Sequence, residues 1–297
     1  MTVRDLNVDI ATAAQLACLL EASAPKPGNV SPGVRFGDTT YEDFLASAVA
    51  IGPALGAAGA NPVGTTIRRA IKATRRWTNA NTNLGIVLLL APLARAVHST
   101  GDTEDLRTTL GRVLGETTID DARETYAAIR LASPGGLGST REQDVAGEPT
   151  VSLLEAMRLA ADRDGIAREY ATTFQTTFEI ALPTLMRARQ AGHDWNDAVL
   201  ETFLTLLATS PDTHIARRAG QDVADDVTRQ ARAVLEAGGV RTALGRAAIA
   251  RMSEGLRDEH NRANPGTTAD ITVAAIFVSL IGGGWHSKNG GVDVPSR

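Results

Sequence analysis

The sequence predicts an all-α protein, a single compact domain of roughly ten to twelve helices around a buried central helix. Three observations carry that reading. The chain is rich in Ala, Leu, Arg and Glu, which are good helix formers. No segment alternates apolar and polar residues as a half-buried strand would. Residues 84–90, LGIVLLL, are apolar on every side, the signature of a helix buried all round. In front of that run, residues 78–83 hold three asparagines and two threonines, side chains that accept from the free N–H groups of a first helical turn. A buried helix with amides at its mouth offers N–H groups and a partial positive charge that favour an anion.

In chain order, apolar residues recur at helical spacing from Val8 to Ala24, and Pro25 stops that helix because α geometry is disfavoured before proline. Residues 25–33, PKPGNVSPG, form a stiff loop around Lys26 and Asn29. Asp38 or Thr39 can cap a helix over 41–58, where Gly52, Pro53 and Gly56 are placed to bend or split it. Asn61-Pro62 breaks the chain before a helix over 63–77 with a basic face of Arg68, Arg69, Lys72, Arg75 and Arg76. After the central helix, 102–114 and 118–131 read as amphipathic helices. Residues 132–150 are the longest loop, with Gly135, Gly136 and Gly138 ahead of Asp144; it lacks the context of a dinucleotide fingerprint or a P-loop. Helices follow over 151–161, 163–187 (one long element), 195–208, a short one capped by Asp212, then 222–237, 240–256 and 271–280. The helical domain therefore spans 1–281, and the Gly-rich tail, 282–297, reads as loosely held.

Composition bounds the function. A net charge of −4 gives no bulk electrostatic case for nucleic acid. A single cysteine, Cys18, excludes an intramolecular disulfide framework and a Cys-based metal cluster, and its apolar neighbours mark it as a small core hydrophobe. The N-terminus lacks the apolar core of a signal peptide, and the longest apolar run is too short to span a bilayer. The expectation is a soluble cytoplasmic protein with no membrane partner.

Four polar loops interrupt the apolar helices: 25–29, 79–83, 212–217 and 264–270, with a fifth over 135–144. Each sets Asp, Asn or a base beside Pro or Gly at a helix start. Carboxylates and amides there can hold a hard cation such as Mg²⁺, and Lys or Arg can hold the phosphates that the cation bridges. Lys26 is the first such base. Absence of HxxxH, HExxH and Cys pairs argues against zinc. His193, His214 and His260 are the acid–base histidines on offer, and His214 alone lies in one of the four loops.

PKPGNV, NTNLGIVLLLAPLA, SPGGLG followed by Asp144-Val145, SLLEAMRLAADRDGIAREY, PDTHIARRAG and ANPGTTADI occur in one order. Together they resemble the triphosphoribosyl-dephospho-CoA synthase family over nearly the whole chain, from about Glu21 to Leu280. The citrate-lyase branch of that family has a central motif similar to Asn-Thr-His-Lys-Gly. Here the matching positions read Asn81-Thr82-Asn83-Leu84-Gly85, the form that resembles the branch of archaea and one-carbon-metabolising bacteria.

The resemblance implies an all-helical enzyme that joins ATP to 3′-dephospho-CoA. The acceptor's ribose 2′-hydroxyl displaces adenine and leaves the triphosphate attached. It implies Asp212, Asp144 and Asp270 as bases or Mg²⁺ ligands, with Asp212 and Asp270 the metal pair. Lys26 and Arg217 would hold phosphates, and Asn81, Asn83 and Asn264 would bond ribose or phosphate oxygens. Gly28, Asn29, Thr82, His214 and Gly266 complete the expected substrate site. The expected partners are ATP and dephospho-CoA or a related nucleotide acceptor, with a homodimer left open. The rivals are the same scaffold acting on another ribosyl donor or acceptor (for example in a pterin cofactor pathway), a non-catalytic nucleotide-binding protein, and a hydrolase that gives the ribosyl group to water.

Overall fold

The structure is a computed structural model that describes residues 9–34, 37, 39–101, 104–136, 138, 142–257 and 261–286. Asp38, His260 and tail residues 287–297, all named above, lie outside the described residues. So does Asp102, the expected start of one helix. Among the described residues there are fourteen α-helices and no strand. The first is α1 (Ile10–Ser23), whose N-cap Asp9 accepts from Thr12 N–H at 3.0 Å. Next come α2 (Tyr41–Gly56), α3 (Val63–Thr74) and α4 (Leu84–Ser99). They are followed by α5 (Leu106–Gly115), α6 (Ile119–Ala132), α7 (Leu153–Ala160) and α8 (Gly165–Ala171).

The expected long helix over 163–187 is not continuous. After α8 the chain reverses through Thr173 and Phe174, both in the left-handed region, and a π turn (Thr177–Ala181) leads into α9 (Leu182–Gln190). Residues 171–177, ATTFQTT, hold the cause. Four threonines are weak helix formers, and buried Glu169 gathers the N–H groups of Thr176 (3.0 Å) and Thr177 (2.9 Å). The remaining helices are α10 (Trp195–Thr209), α11 (Thr213–Ala219), α12 (Gln221–Glu236), α13 (Ala243–Gly255) and α14 (Gly266–Ile281).

Two buried helices, rather than one, organise the packing. α4 is the expected one; α14 packs against it and is buried along nearly its whole length. Both belong to a large core with α1, α2 and α3, and Cys18 lies in it. A second core is built by α10, α11, α12 and α13. Of the tail, Trp285 is not loose: its ring lies 5.7 Å from that of Trp195, and Arg189 donates to its carbonyl at 3.2 Å. No helix among the described residues is long and apolar enough to cross a membrane.

Candidate active site

The helix starts of α4 and α14 face one cavity of about 800 Å³. Asn81, Thr82 and Asn83 line it before α4, and Asn264, Gly266 and Asp270 line it from α14 and the loop ahead. His214 and Arg217 reach it from α11, Asn29 from the first loop, and Asp144 from the fifth. Ten of the thirteen expected site residues therefore share one cavity, although they span most of the chain.

Local chemistry explains each placement. Gly85, in the first turn of α4, must lack a side chain, because a Cβ there would collide with the Asp270 carboxylate. Asn83 occupies the N-cap position of α4, but Asn81 makes the capping bond, its Oδ1 accepting from Leu84 N–H at 3.2 Å. Asn83 instead turns its amide inward to Thr74 Oγ1 at 3.0 Å. The hydroxyl of Thr82 is tied to that of Ser47. Gly266 leaves room for the ring of His214, whose Nδ1 lies 3.2 Å from the Asn264 carbonyl. That bond places the imidazole proton on Nδ1 and leaves Nε2 as an acceptor. Burial, then Arg217 and Arg218, push His214 down to about 4, so the ring is neutral at pH 7. Asp144 Oδ1 accepts from Ala146 N–H at 2.8 Å, a turn that holds the carboxylate in the cavity wall. Gly136 of the same loop packs on Arg217, where a Cβ would meet its Cγ at 3.1 Å.

Asp270 is the one charged side chain on α14. Burial pushes its carboxyl well above the ordinary carboxylate range. The neighbouring acids Glu21, Asp212 and Asp164 push the same way, and Arg217 opposes them.

Three expected site residues stand behind the wall. Lys26 is 2 % exposed, and its ammonium donates to the carbonyls of Glu21, Ala24 and Val30 beside the Glu21 carboxylate. It holds the loop and offers a phosphate nothing. Asp212 is 3 % exposed with every direction filled. Its Oδ1 accepts from His214 N–H (2.8 Å) and Ile215 N–H (3.1 Å), and its Oδ2 accepts from Thr268 N–H and Oγ1, both at 2.7 Å. It caps α11 and α14 together and has no lone pair for a metal. Gly28, at φ 68°, turns the loop beneath Leu256 and Ala263.

Four acidic residues in the wall were not among the candidates, Glu21, Glu142, Asp162 and Asp164. Asp164 caps α8 through Ile166 N–H (2.9 Å) and lies 3.3 Å from Arg217 Nη1. Glu21 is the only charged residue of α1, and a lone acid in an otherwise apolar helix is the signal that would have found it.

Comparisons with known proteins bear on the family and the fold. A family profile described as CitG, ATP:dephospho-CoA triphosphoribosyl transferase, matches residues 7–289. A protein of Pseudomonas syringae pv. tomato, named a probable 2-(5″-triphosphoribosyl)-3′-dephosphocoenzyme-A synthase, is 34% identical over 113 residues, 38% of each chain. One of the same name from Stutzerimonas stutzeri is 34% identical over 116 residues, 39% of each chain. The matched stretch is thus well under half of these relatives' length. A crystal structure from Archaeoglobus fulgidus, provisionally named a triphosphoribosyl-dephospho-CoA synthase, superposes with a TM-score of 0.62 at 27% identity, covering 80% of this chain and 99% of that one. On the profile match over nearly its whole length, the chain belongs to the CitG family.

Proposed function

We propose that the protein transfers the triphosphoribosyl group of ATP to the ribose 2′-hydroxyl of 3′-dephospho-CoA. The C1′–N9 bond of ATP breaks, a bond from C1′ to the acceptor oxygen forms, the hydroxyl gives up its proton and the departing adenine gains one. The carrying observation is one cavity whose lining gathers the acidic side chains of Glu21, Asp144, Asp164 and Asp270, among others, with Arg217, in a chain of this family. Positive charge builds at C1′ as adenine departs, and fixed carboxylates stabilise it. Asp270 supplies the proton that adenine takes, since its surroundings hold a proton on it. Asp144, on a separate element, accepts the proton of the attacking hydroxyl. Arg217 and the amides of Asn81 and Asn264 hold phosphate oxygens. The apolar side of the cavity, with Phe44, Leu153, Met157 and Leu159, suits the pantetheine arm of the acceptor.

Mg²⁺ belongs to this reading as the companion of the triphosphate. Among the described residues no group of three His, Cys, Asp or Glu could hold a metal, so the ion would draw most ligands from phosphate and water. Asp212 is saturated, and Asp270 would first have to lose its proton. Asp164 is the carboxylate that fits. The ion would neutralise phosphate charge in an acidic cavity.

The test is incubation with ATP, Mg²⁺ and dephospho-CoA, followed by chromatography for free adenine and mass measurement of the product. Asp270→Asn should slow adenine release by about a hundredfold or more while nucleotide binding persists. Adenine formed equally without dephospho-CoA would mean hydrolysis and overturn the transfer.

A further inference from the structure

Asp144 sits on a loop, and that loop is braced on both sides of it. Tyr126 of α6 donates its hydroxyl to the Gln143 carbonyl at 2.7 Å. Arg130, one helical turn further along α6, donates to the Val145 carbonyl at 2.6 Å and reaches the Gly147 carbonyl at 3.4 Å. The loop also closes on itself, because the Gln143 side chain accepts from Thr150 N–H at 3.1 Å and donates to Thr150 Oγ1 at 2.8 Å. α6 is a fixed support, since its buried Asp121 accepts from Gly64 N–H of α3 at 2.8 Å. Gln143 itself stands at φ 50°, in the left-handed region. A residue with a side chain persists there only where its surroundings over-determine the backbone.

Satisfying polar groups does not account for these bonds. Arg130 and Gly147 are exposed, and water meets an exposed carbonyl about as well as a guanidinium does. Immobilising a long arginine costs rotamer freedom, and what the bond gives in return is a fixed backbone. Tyr126 lines the same cavity as Asp144 and Asp270. Burial, then the Asp144 charge, push its hydroxyl above the ordinary range, with Arg163 opposing, so the group remains a donor at neutral pH.

We infer that Tyr126 and Arg130 are positioning residues, which fix the backbone on either side of Asp144 so that its carboxylate is in place before the acceptor's 2′-hydroxyl arrives. The inference rests on the proton-accepting role proposed above for Asp144. A base must lie within hydrogen-bond reach of the proton it takes, and misplacement by about 1 Å can cost about a hundredfold in rate. A brace of this kind acts on the reacting geometry and leaves the binding contacts alone, so its loss falls on kcat and spares KM.

The experiment compares full-length wild type, Tyr126→Phe, Arg130→Met, the two together, and Asp144→Asn. Adenine release is followed at steady state and in single turnovers at high enzyme concentration, so that slow variants still register. Each brace variant should lower kcat by about tenfold and the pair by more, with KM for ATP and for dephospho-CoA within about twofold of wild type. Arg130→Lys keeps a donor for the Val145 carbonyl and should lose less than Arg130→Met. Added to Asp144→Asn, the pair should cost little more, because both residues act through that carboxylate. Amide hydrogen exchange across residues 144–147 should quicken in the pair while exchange within α6 stays as it was. Full activity in the pair, a loss carried by KM, an equally large loss in the Asp144→Asn background, or unchanged exchange over 144–147 would each overturn the brace. The two ideas separate cleanly. An inactive Asp144→Asn with fully active brace variants sinks only the inference. An Asp144→Asn that releases adenine like wild type, or a wild type that releases none, sinks the proposed role of Asp144 and the inference with it.

Discussion

Asp212 shows how a residue can carry the look of a catalytic group and the job of a structural one. Its four partners are two N–H groups of α11 and the N–H and hydroxyl of Thr268 in α14. Asp212→Asn would turn an amide N–H₂ toward one of those N–H donors and leave it unpaired. An unmet buried donor costs about 1–3 kcal/mol, so urea unfolding should show a loss of that size. The folded variant should still bind Mg-ATP within a few fold of wild type. Normal stability with lost ATP affinity would return the carboxylate to the site. From the sequence, Asp212 as an N-cap was legible, because Pro-Asp before a helix is a local signal. That Thr268, 56 residues on, uses the other oxygen was not, because no local pattern reports a tertiary bond. Lys26 misled in the same way. A lysine in a Pro/Gly loop advertises a phosphate, but only the fold reveals the three carbonyls that surround it.

At the scale of elements, the chain repeatedly repairs one helix with a side chain from another. Pro92 lies inside α4 and cannot donate to Leu88 carbonyl, and Tyr170 of α8 donates to that oxygen instead, at 2.6 Å. Pro53 does the same to Val49 carbonyl in α2, and Gln15 of α1 donates at 2.9 Å across Gly52, where any Cβ would block it. α3 begins after Pro62 without a side-chain cap of its own, and Asp121 of α6 accepts from Gly64 N–H at 2.8 Å. These repairs fix which helices must be neighbours. Tyr170→Phe should therefore cost about 1–3 kcal/mol, the price of a buried unpaired carbonyl. In a Pro92→Ala background residue 92 regains its N–H, and the same change should cost much less. A double-mutant cycle with no coupling would show that Tyr170 matters only for its packing. Most helix existence was readable, since capping and periodicity are local. The break at residues 171–177 was not read, because apolar spacing across it still looks helical, and the deciding bonds run to Glu169 from beyond the turn.

For the whole molecule, the two cores share their helices. α10 gives Val199 and Leu206 to the larger core and Phe203 and Leu207 to the smaller, and α14 gives Ala269 to the smaller and Ile271 onward to the larger. The cavity is lined from both sides, by Leu84 and Leu153 of the larger core and by His214 and Arg217 of α11. Neither core can open without unpacking a helix of the other, so unfolding should be one cooperative transition despite the length of the chain. A ligand in the cavity should then stabilise the entire protein rather than one part. ATP with Mg²⁺ at a hundred times its Kd should add about 2.7 kcal/mol, seen as a shift of a few degrees in Tm. Chelating the cation should abolish most of that shift, because Asp144 and Asp164 would face an unneutralised triphosphate. Scanning calorimetry with and without Mg-ATP checks both points. Two separate transitions, with only one moved by nucleotide, would show that the shared helices do not couple the cores, and a full shift in EDTA would show that the acidic wall needs no cation.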